Sequence, residues 1–182
     1  MSSPPPPFPP AWAGLLRRAR LCYLATATDN VPHLSLMVTS FVTDAELGSV
    51  FVFSTRKDTV KFSNLSSNPN VAVLSHGPLQ EGEGGGGGEG GGGGEGGGGA
   101  AAEGGEGRCS PVAAEGIVSI TCQGTVVVLE GDQERRLRAE HLQRNPGYRQ
   151  FIESEDIAVC VLRPLSARAC GEDDKVMRWV RE

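Results

Sequence analysis

The chain has 182 residues and a formal net charge of −5, which suits one ordinary globular domain and is short for two. Six glutamates (Glu81, Glu83, Glu89, Glu95, Glu103 and Glu106) lie in an almost pure Gly/Glu/Ala tract over 81–107; without them the charge is +1, so there is no strong field to attract nucleic acid. The five cysteines are odd in number and contain no Cys-x-x-Cys pair, which argues against a disulfide framework or zinc site, and no apolar run reaches the roughly 18 residues that cross a membrane.

Residues 1–10, with Pro4–Pro7, Pro9 and Pro10, read as a disordered polyproline tail lacking the charged and apolar regions of a signal peptide. The single domain is expected over 11–182. Trp12, Leu15, Leu16 and Ala19 recur at helical spacing with Arg17, Arg18 and Arg20 between them, predicting a short amphipathic helix over 11–20. Leu21–Thr28 and His33–Val42 are then strand-like, and Asp29-Asn30 between them is a turn-forming pair, so a hairpin is expected. Val50–Phe53 reads as a third strand. The polar segment Ser54–Asn68, with Val60, Phe62 and Leu65 as a weak stripe, predicts a helix stopped at Asn68-Pro69. Val71–Leu74 is a short buried strand.

Residues 81–110 are too rich in glycine to build a core and are expected to form a disordered coil inserted within the domain, at little entropic cost. Gly116–Leu129 reads as one bent strand, with Gly124 where a bulge would fall. Asp132 is the expected cap of a helix running to about Arg144, supported by the Glu134–Arg138 pair and closed by Asn145-Pro146-Gly147. Ile157–Ala169 and Val176–Val180 complete the chain. About six strands, mostly consecutive, and three short helices define a mainly β fold, an antiparallel barrel with α decorations. Cys22, Cys122 and Cys160 sit in apolar runs as small buried thiols do, and reduced cysteines fit a cytoplasmic protein.

Chemistry concentrates in Phe51–Leu74. Hydroxyls (Ser54, Thr55, Thr59) and cations (Arg56, Lys57, Lys61) gather around the predicted helix start, where backbone N–H groups and the helix dipole attract an anion such as a phosphate. The same residues would equally suit a polar loop capping its own helix with Thr55 or Asp58, and the residue pattern alone leaves both readings open.

Ser-Thr, a lysine four to six residues later, and Asn-Leu-x-x-Asn-Pro-x-Val resemble the FMN phosphate segment of the pyridoxamine 5'-phosphate oxidase family. The blocks Leu21–Val42, Phe51–His76, Gly116–Gly131 and Ile157–Val180 follow in the family's order, and Pro-His-x-Ser-Leu-Met at 32–37 resembles its small eukaryotic members, which carry a low-complexity insertion at the same place. The resemblance implies a six-stranded antiparallel FMN-binding split barrel that forms a homodimer, with FMN between the subunits. It implies that Ser54, Thr55, Thr59 and Lys61 hold the ribityl phosphate, with Arg56 and Lys57 beside them. Backbone groups of Ser35, Leu36, Met37 and Val38 would line the isoalloxazine, and Ser119 takes the place of a flavin-contacting polar residue. Two departures bear on the substrate. Ser35 stands where the oxidases have a phosphate-neutralising arginine, and the C-terminal Arg-x-His motif is lacking before the sequence ends at Glu182, so a substrate other than pyridoxamine phosphate is expected.

The pattern predicts no catalytic residue: there is no Ser-His-Asp order, Walker loop or paired-carboxylate signature. The expected function is a flavin-dependent oxidoreductase acting on a small molecule; the alternative is a non-catalytic binder of flavin, pyridoxal phosphate or heme. Of the histidines, His33 and His76 fall on or near strands that the family places around the cofactor, whereas His141 is expected to be solvated beside Glu140. Trp179 could cover the flavin, but a tryptophan there is more often core.

Overall fold

The computed structural model describes residues 7–76 and 117–181. In chain order the elements are α1 (Pro10–Arg18), β1 (Leu21–Thr28), β2 (Val31–Asp44), β3 (Gly48–Arg56), α2 (Val60–Ser67), β4 (Asn70–His76), β5 (Ile117–Val128), α3 (Gly131–Arg144), a 3-10 turn (Pro146–Phe151), β6 (Ile157–Gly171) and β7 (Val176–Val180). The strands run in the order β3-β2-β1-β4-β5-β6-β7, and a β3–β6 pairing closes six of them into an antiparallel ring. β7 is a seventh strand, laid along the second half of β6.

The β1–β2 hairpin turns on Asp29 and Asn30, both at positive φ (51° and 63°), the left-handed pair that a two-residue turn requires and that Asp and Asn tolerate. At Gly124 the β5–β6 register shifts, making the expected bulge. Inward positions alternate along the strands and fill the ring: Leu24, Phe41, Phe51, Phe53, Ile120 and Leu162 are all fully buried. α1 closes one end of the ring with Trp12, Leu15 and Leu16. The expected tail over residues 1–10 reaches into the core: Phe8 is buried, with its ring 4.8 Å from Trp179 and 5.2 Å from Phe41, so the ordered domain starts before residue 11. Trp179 is core, as expected.

α3 lies across a second cluster, on the outside of the ring, where Leu137 meets Val42, Val50, Val52, Val159 and Val161. Asp132 is not its cap: the cap is Glu130, which makes no side-chain bond, while Asp132 sits inside the first turn, paired with Arg135 and favoured by the helix dipole. The Glu134–Arg138 pair forms, at 2.5 Å. The nearly inaccessible Asp44 carboxylate pairs with Arg136 and accepts from the Glu46 and Leu47 amides, which ties α3 to the β2–β3 turn. Those bonds, Arg136 first, hold its pKa down to about 2.

His141 departs from expectation. It is fully buried, its Nδ1 lies 2.8 Å from Ser40 Oγ, and Asn145 Nδ2 donates to Ser40 Oγ at 2.9 Å and to the His141 carbonyl at 3.0 Å. Burial, with Arg138 nearby, pushes its pKa from 6.5 down to about 4. The fold therefore holds the neutral ring while the unfolded chain takes up a proton below pH 6.5. Stability should fall by up to about 1.4 kcal/mol per pH unit as pH drops from 6.5 to 4, and level off below. Urea midpoints measured across that window check this: His141→Gln should flatten the slope, and an unchanged slope would show that another group carries it.

The Gly/Glu-rich stretch 81–110 lies outside the described residues. Its flanking strands pair directly, with His76 opposite Ser119, so a short hairpin loop could join them. Replacing residues 82–107 by a short Gly-Ser loop should leave the melting temperature nearly unchanged, since loop-closure entropy varies slowly with length. A large fall in melting temperature would contradict this.

Candidate cofactor site at the split edge of the barrel

β2 parts company with β3 halfway along. Val31–Val38 pair with β1, whereas pairing with β3 covers only Thr39–Asp44. Beyond Phe53, β3 continues on β6 alone, with Ser54 opposite Val159, Thr55 opposite Ala158 and Arg56 opposite Ile157. One backbone edge of residues 31–38 thus has no strand neighbour among the described residues. Unpaired edge amides and carbonyls are available to a ligand, and Ser35–Val38 lie on that edge.

The pairing with β6 corrects the local reading of the anion segment. Ser54, Thr55 and Arg56 belong to the strand, α2 starts only at Val60, and its cap is Thr59, whose Oγ1 accepts from the Phe62 amide at 3.2 Å. Thr55 and Thr59 bring their hydroxyls to 3.2 Å of each other. Ser54 is buried and donates to the Phe151 carbonyl at 2.7 Å, holding the 3-10 turn against β3. Arg56 and Lys57 turn toward the loop before β6: Arg56 binds Asp58 at 2.7 Å and lies 3.6 Å from Asp156, and Lys57 donates to the Glu155 carbonyl at 3.2 Å.

Lys61 is placed differently. Its ammonium is half-buried in the first turn of α2 and donates to the Met37 thioether at 2.9 Å, and it has no carboxylate partner among the described residues. A thioether is a poor substitute for an anion. Burial lowers the lysine pKa. The nearby Cys160 and Cys22 thiols are buried, pushed up to about 12 and about 11, and so remain neutral and offer it no counter-charge. The contact brings Met37 and Lys61, residues 24 apart, across the split from each other. Ser35 shares the Met37 face of β2, and its hydroxyl lies 3.3 Å from His33 Nδ1. Ser119 is not part of this group: it lies on β5 opposite His76 and Cys170.

Two asparagines whose role the sequence reading missed fix α2 in place. Asn64 Nδ2 donates to the buried Thr26 Oγ1 at 3.1 Å, and Asn68 Nδ2 to the Ala27 carbonyl at 3.1 Å, clamping the helix to β1. Their spacing in Asn-Leu-x-x-Asn-Pro was the available signal, since i and i+4 share a helix face.

The outer face of β1, β2 and β4 is apolar and exposed. In one cross-strand row Tyr23 lies between Leu36 and Leu74, and in the next Ala25 lies between Leu34 and Ala72, around a hollow of about 290 Å³. Leu34 and Leu36 are 65% and 57% exposed, far more than core leucines, and contiguous patches of this kind mark association surfaces.

A closed antiparallel ring with one split edge, capped by a helix that presents a lysine, defines the split-barrel class. The pyridoxamine 5'-phosphate oxidase sequence model matches residues 8–169, and the chain belongs to that family. A Schizosaccharomyces pombe protein named as a pyridoxamine 5'-phosphate oxidase homolog is 25% identical, over 94% of this chain and 90% of its own length. In structure, a heme binding protein from Mycobacterium smegmatis matches with a TM-score of 0.66 at 18% identity, covering 96% of this chain, which spans 59% of that protein. HutZ, the heme storage protein from Vibrio cholerae, matches with a TM-score of 0.56 at 14% identity, over 97% of this chain and 96% of its own. These structural likenesses concern the fold. Among the described residues no helix is long and apolar enough to cross a membrane, and no cluster of His, Cys, Asp or Glu could hold a metal ion.

Proposed function

We propose that the protein binds FMN at the split edge, as a homodimer, and acts as a flavin-dependent oxidoreductase on a small molecule. The observation that carries this reading is Lys61, a half-buried ammonium that faces a thioether where an anion would satisfy it, two residues beyond Thr59 of the Thr55–Thr59 hydroxyl pair. A phosphate there would accept charge-assisted bonds from Lys61 and neutral ones from the threonines. Ser35 brings no charge, so neutralisation falls on Lys61. The unpaired edge at Ser35–Val38 would hold the ring system, and the apolar rows around Tyr23 would meet a second copy. Ser119, away from its own chain's split, would then serve the partner's site. Bound there, FMN would supply hydride chemistry, which asks the protein for placement more than for an acid or base.

The heme-binding neighbours support a second reading, in which the barrel holds heme without catalysis. Purifying the protein and recording its visible spectrum separates the two. A yellow chromophore, released on denaturation and bleached by a nicotinamide donor, is the expected result. A heme Soret band, or a colourless protein that takes up no FMN, would overturn the proposal.

A further inference from the structure

We infer that a cleft at the other end of the barrel binds a small organic acid, one carboxylate on a flat apolar body. It uses no residue of the flavin reading. The cleft lies among α1, the β2–β3 turn and the end of β7, with a volume of about 610 Å³, within the range of roughly 300–1,000 Å³ that small-molecule sites occupy. Met37 and this turn are separated by some eight residues, roughly 25 Å of strand at ~3.3 Å per residue.

Phe8, Leu47 and Trp179 supply an apolar lining, and Arg17 and Arg181 supply positive charge. The charges decide the matter. Arg56, Arg135, Arg136, Arg138, Arg144 and Arg149 each have a carboxylate partner. Arg17 and Arg181 have none among the described residues, nor do Arg18, Arg20, Arg163, Arg168 and Arg178, but of these only Arg17 and Arg181 line the cleft. Arg17 donates from Nη2 to Thr43 Oγ1 at 3.0 Å, which uses one of its five N–H groups. Arg181 is partly buried, reaches only the Ser49 carbonyl at 3.5 Å, and stands 6.0 Å over the Trp179 ring. Burial disfavours its charge and Arg163 adds repulsion, so an anion beside it would relieve both. Trp179 also lines the cleft, and its indole N–H is buried without an acceptor among the described residues. The carboxylate lining the cleft, Glu46, already accepts from Gln133 at 3.1 Å.

Guanidinium forks match a planar carboxylate in two parallel bonds, and an apolar body would cover the accessible apolar lining that Pro7, Pro10, Ala13 and Leu47 give the cleft, which a bare inorganic anion would leave exposed. The site therefore takes an aromatic or alicyclic acid in preference to free phosphate.

Calorimetric titration of 2-naphthoate into the full chain tests this, with 2-naphthamide and inorganic phosphate as comparison probes. Saturable naphthoate binding is expected, at least tenfold tighter than either comparison. Arg181→Gln should weaken it at least tenfold, and Arg17→Gln, at an exposed position that does not endanger folding, should weaken it severalfold. Lys61→Ala should leave it unchanged, so this result is independent of whether FMN binds. No naphthoate binding at millimolar concentration, wild-type affinity in both arginine variants, or phosphate binding as tight as naphthoate would each overturn the inference.

Discussion

Gly124→Val should fail to fold, and Gly124→Ala should lose at least about 4 kcal/mol, the range reserved for a few severe mechanisms. A Cβ at this position would sit 2.0 Å from the Arg163 carbonyl oxygen and 3.1 Å from Pro164 Cα. Both obstacles are backbone, so no side-chain rotation relieves the clash. Gly124 lies where the β5–β6 register shifts, and β5 and β6 form the longest ladder of the ring, from Ile117 opposite Gly171 to Val128 opposite Cys160. Relief would require the strands to separate, which breaks ladder hydrogen bonds and opens the core at Cys122 and Val126, both buried. Urea denaturation followed by circular dichroism reads the effect. An alanine variant within 1 kcal/mol of wild type would mean that the two strands do not approach this closely.

Lys61→Ala should weaken FMN binding by about ten- to a hundredfold, since a charge-assisted bond contributes roughly 1.5–3 kcal/mol. Arg56 is engaged with Asp58 and Asp156, and Lys57 with the Glu155 carbonyl in the loop before β6, so neither replaces the lost ammonium without breaking a bond. Riboflavin, which lacks the phosphate, should bind wild type poorly and respond little to the substitution. Added salt should weaken FMN more than riboflavin. Titration calorimetry of both ligands against both proteins provides the comparison. Equal FMN affinity in wild type and variant would leave Lys61 as a packing residue whose stem fills the space beside Met37.

Features encoded within a few residues were legible in the sequence. Asp29-Asn30 announced the hairpin, Gly124 the bulge, and Asn68-Pro69 the end of α2, because each follows from local backbone preference. Features set by distant partners were not. Ser54–Arg56 read as the start of a polar helical segment, yet they continue the strand because Ile157–Val159, a hundred residues on, pair with them. His141 reads as a solvated helix residue from its charged neighbours, and only Ser40, 101 residues away, makes it a buried one. Phe8 was hidden by the prolines around it, since a single apolar residue carries no periodicity. The candidate site was half legible. Its residue types and family likeness were visible, whereas the split that places Ser35–Val38 across from Lys61 follows from where β2 leaves β3, a matter of register.

Under the proposed function, two copies of this split barrel hold FMN between them. Sedimentation velocity of the full chain mixed with FMN, recorded by both protein and flavin absorbance, should then show a single boundary at the mass of a dimer, carrying one FMN per chain in both signals. Flavin that stays behind unbound, or that travels with a monomer, would contradict it.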